Sequence, residues 1–217
     1  MKKLLLVAAA SVAALSTASA NVLDFEAFGA VNTEGTLIVG NEFEADFGVT
    51  FSSVDDDLFL VQVGAPQIAF VRDDTPDPSG AFGTWFMGTS FDDAQTDLTI
   101  TWTTPVDGFS FEMADIDDDE VFNFEVFDAS NNLLATRTIS SGDANTGNLQ
   151  VTPVGFSNLG AQIARVTLTG TRGSARLGIA FDNFNTTRDA TVPVPAALPL
   201  FAAGMAGFGA LRRRKKA

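Results

Sequence analysis

The chain of 217 residues contains no cysteine, no histidine and no tyrosine, and its only lysines are Lys2, Lys3, Lys215 and Lys216. The segment 21–191 therefore lacks all four residue types. Their absence excludes disulfides, Ser-His-Asp and Cys-His catalysis, His-ligated zinc and Schiff-base chemistry from this segment. Its stability must come from a hydrophobic core, which about 170 residues suffice to build as one domain.

Basic residues are scarce as well. Of 13 Lys and Arg residues, two lie near the start and five near the end, which leaves six arginines. All 27 Asp and Glu residues lie within 21–191, so this segment carries a net charge of −21. Nucleic-acid binding is excluded because it requires a basic surface. The surplus of carboxylates favours divalent cations, and calcium is a candidate ligand.

The N-terminus has the pattern of a secretory signal. Lys2 and Lys3 precede an apolar run from 4 to 15, and Ala18-Ser19-Ala20 is a small-residue cleavage site. The alternative is an uncleaved anchor, but a dozen apolar residues form a helix of only about 18 Å. We expect a signal peptide over residues 1–20, removed by signal peptidase before Asn21.

The C-terminus combines three features in a fixed order. Val192, Pro193, Val194, Pro195 and Ala196 form a proline-containing motif, and an apolar segment and five basic residues, 212–216, follow. A helix over 199–211 would be about 20 Å long, a short span for a membrane. The basic ends favour retention of both termini on the cytoplasmic side.

This segment, 192–217, resembles the PEP-CTERM sorting signal in its Val-Pro-Leu-Pro-Ala variant. The resemblance implies that an exosortase-like enzyme in the inner membrane of Gram-negative bacteria recognises the motif and removes the tail. It also implies transfer to the cell surface alongside exopolysaccharide. Val194 departs from the pattern, since the main family has Glu there and the variant has Leu. An ordinary C-terminal membrane anchor is the alternative.

Alternation of apolar and polar residues dominates the middle of the chain, and no stretch has a sustained helical period. The alternation and the turn-forming clusters predict an all-β protein, an antiparallel β-sandwich of jelly-roll type, over 21–185. Residues 186–191 are a polar linker. We predict strands at 22–28, 58–63, 67–71, 98–102, 109–113, 122–126, 133–139, 163–169 and 177–184, with a hairpin turn at 128–132.

Carboxylates near the two ends of this domain suggest a metal site. Asp24 and Glu26 share one face if 22–28 is a strand, and Asp182 and Asn183 lie in the last predicted strand. Leu-Asp-Phe-Glu at the start and Phe-Asp-Asn-Phe at the end are similar to the terminal strands of calcium-stabilised jelly rolls among carbohydrate-binding modules. If these strands are neighbours, Asp24, Glu26, Asp182 and Asn183 form a structural Ca²⁺ site.

Other acidic clusters and two tryptophans allow further interpretations. The run 115–120 resembles a calcium loop but lacks the glycine and terminal Glu of an EF-hand, and we expect it to be solvated. Trp102 continues the apolar face of its strand and is expected in the core. Trp85 lies in a loop-like segment and is a candidate for stacking on a sugar.

Three functions fit these features. The leading hypothesis is a non-enzymatic, exported protein of the cell surface or matrix, associated with exopolysaccharide, with no catalytic residue and a transient inner-membrane intermediate. The alternative is a secreted carbohydrate-binding module that uses Trp85. A glycosidase is the third, because that chemistry needs only two carboxylates about 5 to 10 Å apart.

Overall fold

The computed structural model describes residues 22–54, 57–64, 82–89, 95–173 and 177–187. These residues belong to one compact unit, which spans 20–188. Within the described ranges, no helix has the length and apolar character needed to cross a membrane. The predicted signal peptide, the motif at 192–196 and the C-terminal helix lie outside these ranges and stay predictions.

The described residues form eleven strands and two single-turn helices. In chain order they are β1 (Val22–Leu23), α1 (Glu26–Gly29), α2 (Glu44–Phe47), β2 (Val49–Ser52), β3 (Leu58–Gln62), β4 (Trp85–Thr89), β5 (Gln95–Val106), β6 (Gly108–Ala114), β7 (Val121–Phe127), β8 (Leu133–Ser140), β9 (Val151–Ser157), β10 (Ile163–Thr171) and β11 (Ala180–Thr187). The all-β prediction is confirmed.

Two antiparallel sheets form the sandwich. Sheet A has the strand order β3-β4-β11-β6-β9, with β1 also paired to β11, and sheet B has the order β2-β5-β10-β7-β8. The chain passes repeatedly from one sheet to the other, as expected for a jelly roll. The predicted hairpin is confirmed, because Phe127 of β7 pairs with Leu133 of β8 across the turn.

The start of the domain differs from the prediction. Residues 22–28 were expected to form one strand, but β1 ends at Leu23 and Phe25 adopts a left-handed conformation with φ 56°. Helix α1 then begins at Glu26. The aromatic ring of Phe25 is buried in the core. We attribute the left-handed backbone at Phe25, which follows the end of β1, to that burial. The expected strand at 67–71 lies outside the described residues.

Phenylalanine rings fill the space between the sheets. Phe51 of β2 and Phe111 of β6 both contact Phe184 of β11, with ring centroids 4.9 and 5.2 Å apart. Trp102 is 4% exposed and packs against Phe109, which confirms its predicted core position. The apolar face of each alternating strand is buried here, and this burial drives the pairing of the two sheets.

A second, smaller apolar cluster lies on the outer face of sheet A. Its buried members are Val61, Phe82, Phe86, Ala114 and Ala180. This end of the outer face is therefore shielded from solvent. On the same face, Asp182 lies two residues after Ala180 on β11, and its partner Glu112 lies two residues before Ala114 on β6.

Candidate functional site

The candidate site is a junction in sheet A where two strands share one edge of β11. Strand β4 pairs with Ala180 and Phe181, and β1 pairs with Phe184 and Asn185. Between these pairs, the register of β11 against β6 shifts, and Asn183 has φ 54°. Such a bulge bends the strand and redirects its side chains. We call this region, with residues Asp24, Glu26, Glu112, Asp182 and Asn183, the acidic junction.

Asp182 is the centre of the acidic junction. It is 1% exposed, and one carboxylate oxygen accepts a hydrogen bond from the backbone N–H of Asn183 at 2.7 Å. The pKa of Asp182 is raised to about 9, chiefly by burial and further by the charges of Asp24, Glu112 and Glu26, against the lowering effect of that hydrogen bond. Without a neighbouring cation, this carboxyl group therefore keeps its proton at neutral pH.

The other members of the acidic junction make hydrogen bonds of their own. Glu112 accepts a bond from the side-chain amide of Asn183 at 2.8 Å. Glu26 accepts bonds from the backbone N–H groups of Thr84 and Trp85, the latter at 3.0 Å. Its carboxylate thereby joins α1 to the start of β4.

The structure places all four predicted metal ligands in the acidic junction, although the reasoning for Asp24 and Glu26 was wrong. They do not alternate along one strand, since Glu26 begins α1. Glu112 was missed because its proximity comes from the pairing of β6 with β11, which places it opposite Asp182. No pattern in the sequence indicates that pairing.

Within the ranges that the structure describes, no three acidic side chains are arranged so that they could hold a metal ion. The donor chemistry of the acidic junction nevertheless suits a hard cation, since carboxylate and amide oxygens are the ligands that Ca²⁺ prefers. The ion pairs of Arg172 are with Asp118, Asp119 and Glu120, which lie outside the acidic junction.

Trp85 is the first residue of β4, not part of a loop. Its ring is half-buried and lies against Gly29, where an added Cβ would be 2.2 Å from the ring. The prediction that Trp85 stacks on a sugar is not tested by this placement, and it stays a prediction.

The acidic run 115–120 differs in part from the expected solvated loop. Asp118 and Asp119 are exposed, but Glu120 is buried at 2% exposure. Arg172 contacts all three carboxylates, and its Nη1 lies 3.5 Å from Glu120 Oε1. Burial nevertheless raises the pKa of Glu120 to about 8, against the lowering effects of the Asp117 backbone hydrogen bond and Arg172.

Comparison with known proteins gives no family. No family model and no curated protein matches the chain. Solved structures with a similar fold include a family 61 carbohydrate-binding module in complex with β-1,4-galactotriose, at 14% identity and TM-score 0.41, over 69% of this chain and 94% of the module.

Two other similar structures come from different protein groups. A DUF4465 family protein from Bacteroides caccae is 11% identical, with TM-score 0.45, over 79% of this chain and all of that one. The K1 adhesin domain of Lys-gingipain from Porphyromonas gingivalis is 17% identical, with TM-score 0.40, over 66% of this chain and 92% of that domain. At these scores the likenesses carry no argument about activity.

Proposed function

We propose that this chain is an exported, non-enzymatic protein of the cell surface or extracellular matrix, associated with exopolysaccharide and stabilised by Ca²⁺ at the acidic junction. One observation carries the calcium proposal. Asp182 is 1% exposed, with three further carboxylates acting on it. Burying a carboxyl group among like charges destabilises its ionised form, and a bound cation removes that penalty.

Asp24, Asp182 and Asn183 are the residues proposed to hold the ion. Asp24 and Asp182 each accept a hydrogen bond from a residue close in sequence, Glu26 and Asn183 respectively. A carboxylate offers about four acceptor sites, so one such bond leaves capacity for a cation. Bound Ca²⁺ would supply positive charge that joins β1 to β11, which are the first and last strands of the domain.

The non-enzymatic assignment rests on where the perturbed carboxyl groups lie. Asp182 and Glu120, whose pKa values are raised most among the described residues, are both buried at 1% and 2% exposure. A glycosidase needs its acid at a cleft that admits a sugar. The lack of His, Cys, Tyr and Lys in 21–191 supports the same assignment.

Export and sorting are proposed from the two ends of the chain. The signal-like residues 1–20 and the motif at 192–196 with its basic tail support processing by signal peptidase and by an exosortase-like enzyme. A protein delivered in this way would meet exopolysaccharide outside the cell, where free calcium is available to the acidic junction.

Thermal unfolding in millimolar Ca²⁺ and in EDTA tests the calcium proposal. A ligand present at 100 times its Kd stabilises the folded state by about 2.7 kcal/mol, so we expect calcium to raise the Tm by about 5 to 10 °C. The Asp182→Asn variant should lose most of this gain. In EDTA at pH 8 it should be at least as stable as the wild type, because it removes the buried acid.

Glu125→Gln is the matched control, since Glu125 is an exposed carboxylate on β7 of the other sheet. This variant should keep the full calcium response. Equal Tm values for the wild type in calcium and in EDTA would contradict the proposal and leave Asp182 as a structural protonated acid.

A further inference from the structure

Beside the acidic junction, the outer face of sheet A contains a groove of about 230 Å³. Strands β6, β9 and β11 form it. Its lining residues are Phe109, Ser110, Gly155, Phe156, Ser157, Asn185 and Thr187. We call it the hydroxyl groove, because three of its lining side chains are hydroxyls, one is an amide and none is ionisable.

Gly155 lines the depression, and Gly108 lies at its margin, paired with Thr187 and Ser157. Gly155 on β9 and Gly108 on β6 lie where other residues would project side chains over the sheet. A Cβ on Gly108 would approach Thr187 Oγ1 to 2.7 Å, whereas a Cβ on Gly155 would be 3.4 Å from the Ser110 Cβ. Gly108 therefore has no room for a side chain, whereas Gly155 is open at one side. The floor between them is therefore backbone.

Packed aromatic rings support the floor. Phe109 and Phe156 stack beneath it with ring centroids 5.3 Å apart and planes 16° from parallel, and both rings belong to the core. A preformed groove binds with a smaller entropy loss than one that must be ordered by its ligand.

One polar side chain of the groove lining is incompletely hydrogen-bonded. The side-chain oxygen Oδ1 of Asn185 is buried and has no hydrogen-bond partner in the part of the chain that the structure describes. A buried carbonyl oxygen without a partner is unfavourable by about 1 to 3 kcal/mol. A hydroxyl of a bound molecule would donate the missing hydrogen bond once the Asn185 side chain turns this oxygen towards the groove.

We propose that the hydroxyl groove binds one residue of a neutral saccharide. Sugar hydroxyls match the hydroxyl and amide groups of Ser110, Ser157, Thr187 and Asn185, and the volume is below the roughly 300 Å³ typical of small-molecule pockets. This inference rests on the proposed association with exopolysaccharide and names a site for it.

Charge and backbone geometry disfavour other occupants. The net charge of −21 over 21–191 and the nearby Glu112 repel anionic polymers. A peptide that extended sheet A would pair with β9, but Pro153 in the middle of this edge strand has no N–H to donate.

Affinity electrophoresis of the mature protein tests the site, with neutral galactan, glucan, xylan and mannan as probes and with anionic alginate and cationic chitosan for comparison. We expect at least one neutral polysaccharide to retard the wild type and alginate to have no effect. Gly155→Val fills the groove and should weaken binding at least about tenfold, a loss of about 1.4 kcal/mol. Ser157→Ala removes one hydrogen-bonding group and should weaken it about threefold.

Thr101→Val is the control, because Thr101 is exposed on β5 of the opposite sheet and the change adds no bulk to the groove. It should bind as the wild type does, and the Tm of each variant shows whether it is folded. If Gly155→Val and Ser157→Ala bind a neutral polysaccharide as tightly as the wild type, the groove is not the binding site. The proposed association with polysaccharide would then still hold. Retardation by a charged polysaccharide alone would overturn the groove, and no retardation by any of the polysaccharides would overturn both.

Discussion

At the residue scale, two buried carboxyl groups distinguish this protein from an ordinary acidic sandwich. Asp182 and Glu120 are both almost fully buried, and burial is the largest cause of their raised pKa values. They differ in their surroundings. Arg172 lies beside Glu120, whereas the groups of the described chain that act on Asp182 are carboxylates and the Asn183 backbone. The first is a structural acid, and the second is the proposed ligand of a cation.

Glu120 should make stability depend on pH. Its pKa is about 8 in the folded protein and near 4.5 when solvated. The folded state therefore binds the proton more tightly. The stabilisation that the Glu120 proton gives the folded state is complete below about pH 4.5 and is lost as pH rises towards 8.

The Glu120→Gln variant isolates this contribution, because glutamine keeps the shape of the protonated acid. Between pH 5 and 8, the unfolding free energy of the wild type should fall relative to that of the variant, by up to about 1.4 kcal/mol per pH unit. Urea denaturation at several pH values measures this difference. Parallel pH profiles for the two proteins would show that Glu120 is ionised in the folded state.

At the element scale, α1 and β4 are joined by two contacts. The carboxylate of Glu26 accepts hydrogen bonds from the backbone N–H groups of Thr84 and Trp85, at the start of β4. Because Gly29 has no side chain, the ring of Trp85 can lie against the helix. The helix has only four residues, too few to be stable alone. Its position therefore depends on these tertiary contacts.

Gly29→Ala should destabilise the domain by about 1 to 3 kcal/mol, because the added methyl group overlaps the ring of Trp85. Chemical denaturation measures the loss. Trp85→Leu is expected to relieve the overlap, so the double variant should be more stable than the sum of the single changes implies. Additive effects would show that the helix shifts away from β4 without a penalty.

The strands that alternation predicts are those with one buried and one solvated face. β5, β6 and β7 belong to this group, and each was expected from its sequence. Strand β4 was missed because four of its five residues are buried, so its two faces do not differ in polarity. Strand β9 was missed because Pro153 and Gly155 are typical of turns, although both are tolerated on an edge strand.

The candidate site was predictable only where it depends on chain ends. The adjacency of the first and last strands brought Asp24 and Asp182 together as expected. Glu112 and the hydroxyl groove were not predictable, because they depend on the register of β6 against β11 and β9. Register is a property of the whole sheet, and no local sequence pattern of β6 specifies its two partners.

At the scale of the whole molecule, the outer face of sheet A is divided into three zones. A covered apolar cluster lies at one end, the acidic junction follows, and the hydroxyl groove lies at the other end. β11 takes part in all three through Ala180, Asp182 and Asn185. The last strand of the domain therefore contributes to its packing, its proposed cation and its proposed glycan.

Export should leave a shorter mature protein. We expect intact-mass spectrometry of the protein isolated from its native host to give a chain that starts at Asn21 and lacks the basic tail 212–216. A chain that starts at Asn21 but keeps its C-terminus would indicate an ordinary membrane anchor. A cytosolic protein of 217 residues would contradict the export proposal.

Calcium binding by the mature protein tests the central claim most directly. Equilibrium dialysis against radioactive calcium at neutral pH measures the number of bound ions per chain. We expect about one tight site in the wild type and in Glu125→Gln, and the loss of that site in Asp182→Asn. No bound calcium in the wild type, or equal binding by the wild type and Asp182→Asn, would contradict the account of the acidic junction.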